Sequence, residues 1–178
     1  VTKKAHGAAV GLKLSSEFRM VIRQRQLSVF ADYFQFYVQD EDVDGDLTDF
    51  WTTEATAIGL AVGLSAIGIS TARNMTVPVN ISIHDTEPKC ILDEWDRVAE
   101  CGMRIESRTI VIAGCTEYFP AAARIDIEPG DYCVRVCSAR LDSLSENGLE
   151  GEDSYSLFLW KGARETVTVA KQHAIRVG

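Results

Sequence analysis

The stretch Arg124-Ile125-Asp126-Ile127-Glu128-Pro129-Gly130-Asp131-Tyr132-Cys133-Val134-Arg135-Val136-Cys137 decides the fold. Apolar Ile125 and Ile127 alternate with charged Asp126 and Glu128. Beyond Pro129-Gly130-Asp131, apolar Tyr132, Val134 and Val136 alternate with Cys133, Arg135 and Cys137. A period of two is the mark of a half-buried strand. Pro129 presets φ for a turn, and Gly130 and Asp131 tolerate left-handed backbone. The stretch therefore reads as strand, tight turn and strand, a hairpin at the centre of a β protein. Cys133 and Cys137 fall on one side of the second arm, roughly 13 Å apart at the usual rise. That is too far for a disulfide, and both read as small core residues.

Outward from this centre the same alternation recurs. Leu27–Val38 (LSVFADYFQFYV) is rich in aromatic and β-branched residues, and its parity slips at Tyr33 and Phe34. That slip predicts a bulge, or one core strand buried on both faces. Val77, Val79, Ile81 and Ile83 alternate along Thr76–His84, with Pro78 near the start of the run. Further strands are expected at 67–72, 97–106, 109–113, 154–160 and 166–170. A short helix capped by Thr48 or Asp49 is expected to run to about Ile58, with Glu54 near its positive end. Eight or nine strands with one short helix predict a mainly β protein: an antiparallel two-sheet sandwich with jelly-roll-like connectivity.

The chain has 178 residues, enough for one domain with a full core but tight for two. A basic amino-terminal extension over 1–26 is expected to precede a single sandwich domain over 27–178. Within the extension, Phe18, Met20, Val21 and Ile22 suggest an ordered edge strand. A hydrophobic share of 46% and a charged share of 25% place the chain among ordinary globular proteins and exclude a disordered one. The net charge of −8 argues against direct nucleic-acid binding and suits a basic partner. Five cysteines without a framework read as free thiols of a reducing compartment. No charged-then-apolar leader pattern opens the sequence, and a cytoplasmic location is expected. The charge-free run 55–72 is broken by glycines, so a turn and a strand are expected there instead of a membrane helix.

Two acidic tracts stand out. Asp40, Glu41, Asp42, Asp44, Asp46 and Asp49 form the first, and Glu146, Glu150, Glu152 and Asp153 form the second, which reads as a long flexible surface loop. Asp40, Asp42, Asp44 and Gly45 match the start of a calcium loop, but Trp51 stands where a bidentate Glu is required. No metal or cofactor is therefore assigned. His84 beside Asp85 reads as a loop histidine, because no Ser or Cys is marked as a catalytic partner. Arg73 and Asn74 read as strand-exit anchors that bond buried carbonyls, and Trp51 and Ala55 as a packing face of the helix.

Taken together, Leu27-Ser28-Val29, Phe34-Gln35-Phe36, Trp51-Thr52-Thr53-Glu54-Ala55 with Gly59 and Ala61, IGISTARN over 67–74 and IEPGDY over 127–132 resemble the competence protein J family. The similarity runs from Leu27 to Trp160. It implies a small β protein that binds a DNA-entry nuclease and blocks it without doing chemistry. The two acidic tracts look longer than the family's usual connections. On this reading their ten carboxylates are the candidate partner-binding residues, mimicking the charge of DNA, and no catalytic residue is expected. No membrane contact is expected, and a homodimer through an edge strand stays open. The rival reading is a module that binds calcium at Asp40–Asp46, or a ligand on a sheet face that exposes Trp51, Trp95 or Trp160.

Overall fold

A computed structural model describes residues 21–173; the expectations for Phe18, Met20 and the basic residues before them lie outside that range. Among the described residues the chain forms β1 (Val21–Phe30), β2 (Gln35–Asp40), α1 (Thr53–Ile58), β3 (Leu60–Val62), β4 (Ala66–Ser70), β5 (Thr76–His84), β6 (Arg97–Ile105), β7 (Thr109–Gly114), β8 (Ala123–Asp126), β9 (Gly130–Ala139), β10 (Ser154–Lys161) and β11 (Thr168–Lys171). They make two facing sheets, a six-stranded one in the order β1-β5-β10-β9-β6-β11 and a five-stranded one in the order β3-β4-β2-β7-β8. The expected two-sheet sandwich is what the chain forms. Its strand pairs are antiparallel except β5 with β10, which run parallel.

The core lies between the sheets. Val77, Val79, Ile81 and Ile83 of β5, with Val134 and Val136 of β9, point inward from the larger sheet. Phe36 and Val38 of β2, with Ile110 and Ile112 of β7, meet them from the smaller one. Phe36 and Tyr155 close the gap edge to face, ring centroids 5.9 Å apart, a favoured aromatic geometry.

The deciding stretch is not a hairpin. β8 pairs with β7, and β9 with β6 and β10, so the Pro129-Gly130 turn carries the chain from one sheet to the other. Alternation fixes which face of a strand is buried and is silent about its hydrogen-bond partner. Ile125 and Ile127 enter the core from one sheet, and Tyr132 and Val134 enter it from the other. The crossing needs Gly130, whose φ is 141°. Tyr132 closes the turn by donating its hydroxyl to Glu128 O at 2.6 Å.

Leu27–Val38 divides in the same way. β1 lies at the edge of the larger sheet and β2 at the centre of the smaller, joined by a 3-10 turn at Asp32–Phe34. The parity slip is a change of sheet. Tyr33 and Phe34 make the corner with φ of 56° and 59°, a left-handed backbone that costs a non-glycine residue roughly 1–2 kcal/mol. This split, together with the short β3, raises the strand number among the described residues to eleven. Residues 21–26 of the basic segment belong to β1, which pairs with β5.

Helix α1 ends at Ile58 as expected, but its cap is Thr52, whose Oγ1 accepts from Ala55 N at 3.1 Å. Thr48–Phe50 is a separate 3-10 turn. Trp51 stands before the helix, with its ring against the outer face of β4. A Cβ at Gly68 would lie 2.8 Å from Trp51 Cζ2, so the close approach depends on that glycine. No described helix is long and apolar enough to cross a membrane.

Candidate partner-binding surface

Strand direction decides how the two acidic tracts relate. β9 runs from Gly130, level with Ile105 at the end of β6, to Ala139, level with Ser154 at the start of β10. The first tract follows β2, and Asp40 sits opposite Ile110 and against the β6–β7 turn, at the Gly130 end. The second tract joins β9 to β10, at the Ala139 end. The first tract thus starts at the end opposite the second, and then folds back over the outer face of the smaller sheet, where a Cβ at Gly45 would meet the Gln39 side chain and Asp44 and Asp46 line a recess with Tyr37 and Cys115.

In the first tract Asp40 is fully buried. Its Oδ2 accepts from Glu106 N at 2.5 Å and Ser107 N at 2.9 Å, and its Oδ1 from Asp42 N at 3.0 Å. Burial alone would raise its pKa, but the three amides outweigh that and hold the carboxyl below the usual range. Glu41 is half-buried and pairs with Arg124, Oε1 to Nε 2.6 Å. Asp42, Asp44, Asp46 and Asp49 are exposed. Asp46 accepts from the hydroxyl and amide of Thr48 at 2.6 and 2.9 Å, which lowers its pKa.

The second tract, read as flexible, is laced by its serines. Ser143 Oγ donates to Arg140 O at 2.7 Å and accepts from Glu152 N at 2.8 Å. Ser145 Oγ accepts from Glu150 N at 2.9 Å. Glu146, Glu150 and Glu152 are exposed. Asp153 is buried, with its Oδ1 2.5 Å from Arg73 Nε and its Oδ2 accepting from the Tyr155 hydroxyl at 2.9 Å. Arg73 thus anchors its strand exit to a carboxylate, where carbonyls were expected. The Tyr155 hydroxyl also accepts from Ala72 N at 2.7 Å, so this end of the core is tied to the second tract.

The calcium geometry is not assembled. Asp40 turns inward, and no cluster of three His, Cys, Asp or Glu suited to a metal occurs among the described residues. Nor is the tryptophan face open. Trp160 is buried beneath the Arg135 guanidinium, 5.0 Å from its ring centre, while Trp51 and Trp95 are half-buried.

His84 is not in a loop. It ends β5, 7% exposed, with Nε2 2.8 Å from Ser82 Oγ and its ring 5.9 Å from that of Phe158. Burial lowers its pKa, with Arg135 adding to the effect and Asp85 opposing it. Ser82 is itself buried under the same cover, and Asp85 is turned to solvent.

One set of surface residues escaped the sequence reading. Tyr33 and Phe34 are 71% and 52% exposed, and Phe30 beside them is 49% exposed. Met75 O accepts from Ala31 N at 3.1 Å, which places exposed Met75 at the same corner. The signal was the parity slip at Tyr33 and Phe34.

The two-sheet fold is similar to that of two proteins of solved structure. One is ComJ, inhibitor of the DNA-degrading activity of NucA, from Bacillus subtilis. It is 19% identical and superimposes with a TM-score of 0.58 over 81% of this chain and 98% of ComJ. The other is the product of crocagin biosynthetic gene J, 14% identical, with a TM-score of 0.53 over 78% of this chain and 97% of that one. No protein-family model matches the chain, and no curated protein matches it. The resemblance carried by Trp51–Ala61 and Ile127–Tyr132 is thus matched at the level of fold: the chain has a ComJ-like architecture.

Proposed function

We propose that this protein is a non-catalytic, nuclease-inhibitor-like protein that binds a basic nuclease through exposed carboxylates. The observation that carries the reading is the ComJ fold, reproduced here over nearly the whole length of that inhibitor. The net charge of −8 supports it, because a nuclease site is built to attract phosphates and is steered toward clustered carboxylates. The exposed carboxylates are Asp42, Asp44, Asp46 and Asp49 in the first tract, and Glu146, Glu150 and Glu152 in the second. Asp40 and Asp153 serve the fold. The location we propose for the pair is the cytoplasm.

The test is capture from the lysate of the source cells at low and high salt, followed by a DNA-degradation assay of whatever is retained. A basic nuclease retained at low salt, released at high salt and inhibited while bound is the expected result. Retention of no nuclease at low salt would overturn the reading.

A further inference from the structure

We infer that the sandwich end formed by Phe30, Tyr33, Phe34 and Met75 is the docking face for a basic protein partner, with Glu146, Glu150 and Glu152 as its acidic rim. The inference rests on the partner-binding reading above and selects one end of the molecule for it.

Three observations converge on this end. The first is exposure: Tyr33, Phe34 and Phe30 are each about half or more in solvent. Aromatic side chains on a rigid, exposed corner are the commonest anchors of protein interfaces. A scattered exposed hydrophobe needs no explanation, whereas a contiguous group does.

The second is backbone strain. Tyr33 and Phe34 are consecutive non-glycine residues at φ 56° and 59°, a conformation that glycine would adopt without penalty. The corner is clamped from three sides. Cys115 N donates to Asp32 Oδ1 at 2.7 Å, Ala31 N to Met75 O at 3.1 Å and Thr71 N to Phe34 O at 2.8 Å. The fold thus holds two exposed aromatic residues in a backbone conformation that side chains rarely adopt. Strain of this kind concentrates where a side chain is presented for function.

The third is charge. Phe30 pairs with Thr76 at the start of β5, and β5 lies beside the start of β10, so the corner and the β9–β10 loop share one end of the sandwich. The Arg73–Asp153 pair ties that loop to the 71–75 turn. An apolar centre with a carboxylate rim is complementary to a cationic surface that carries an apolar recess. A second copy of this chain would set rim against rim with like charge, and is disfavoured as the occupant. Asp42, whose amide bonds Asp40 beside the β6–β7 turn, lies at the far end of the strands and cannot also lie at the centre of this interface.

The test uses the full chain with a photo-crosslinking phenylalanine analogue at position 33 or, separately, at position 42, irradiated in source-cell lysate at low salt. An adduct with a basic nuclease from position 33 and none from position 42 is the expected result. An adduct from position 42 alone overturns this docking face and leaves the partner reading standing. An adduct with a second copy overturns the occupant, and no adduct from either position overturns both readings.

A paired measurement guards against misfolding. The double variant Tyr33→Gly, Phe34→Gly removes both rings and relieves the left-handed strain. Its melting temperature is expected to hold or rise while affinity for the crosslinked partner falls about tenfold or more. Unchanged affinity in this folded variant would overturn the proposal.

Discussion

The carboxylate of Asp40 lies 2.5 Å from the backbone amide of Glu106, so the first residue of an acidic tract is a structural pin between β2 and the β6–β7 turn. In sequence it is indistinguishable from Asp42 or Asp44. In the fold it is fully buried and they are exposed.

Asp40→Asn places an amide NH2 against one of the donors that Asp40 satisfies, and is expected to cost about 1–3 kcal/mol, seen as a lower melting temperature at neutral pH. Because the fold lowers the Asp40 pKa, its contribution is present above the unfolded value of about 4. It is lost as pH falls through the lower folded value. The acid limb of a melting-temperature profile should therefore be shallower in the variant. An equally steep limb would show that Asp40 does not carry it.

Asp153 poses the same choice between surface and core. Asp153→Ala leaves Arg73 and the Tyr155 hydroxyl without their acceptor, and is expected to cost about 3–5 kcal/mol. A variant that melts at the wild-type temperature would show that Asp153 does not anchor this end of the core.

His84 sets a second pH dependence. Its folded pKa is lowered by burial, so the neutral form is the one the fold accommodates. Stability is complete above the unfolded value of about 6.5 and declines as pH falls toward the lower folded value. Thermal melts between about pH 7 and 5 should show that decline, and His84→Gln should flatten it. A wild-type profile that is already flat over this range would contradict the buried neutral histidine.

Arg135 holds the 85–95 loop on the outer face of the larger sheet. Its Nε bonds Glu100 Oε1 at 2.7 Å, its Nη1 Pro88 O at 2.7 Å and its Nη2 Glu87 Oε1 at 2.6 Å. Arg135→Met should destabilise the protein by about 3 kcal/mol and open the loop to limited proteolysis. Glu100 keeps its pair with Arg164, 2.6 Å away, which limits the loss. Proteolysis at the wild-type rate would remove the anchoring role.

Much of the fold was legible because period-two alternation marks inward faces. β5 and β10 fall within a residue of their expected bounds, and the helix ends where expected. Sheet partners were not legible. The same Ile125/Ile127 and Tyr132/Val134 pattern serves a hairpin or a crossing between sheets, and only the packing of distant strands decides. The slip at Tyr33 and Phe34 was visible, but a bulge and a change of sheet break parity alike. The candidate site was legible as composition only: charge in a loop does not say which carboxylate turns inward to meet an amide of the β6–β7 turn. Arg135 was hidden more deeply, since a cation in an alternating strand reads as solvent-facing until a loop covers it.

The central claim is inhibition by binding, and stoichiometric titration tests it most directly. The nuclease captured by this chain would be held at a fixed amount with double-stranded DNA while the chain is added in increasing amounts. DNA degradation should fall to background near one equivalent at low salt, and the inhibition should weaken as salt screens the carboxylates. DNA degraded at an unchanged rate in a many-fold excess of the folded chain would contradict the account.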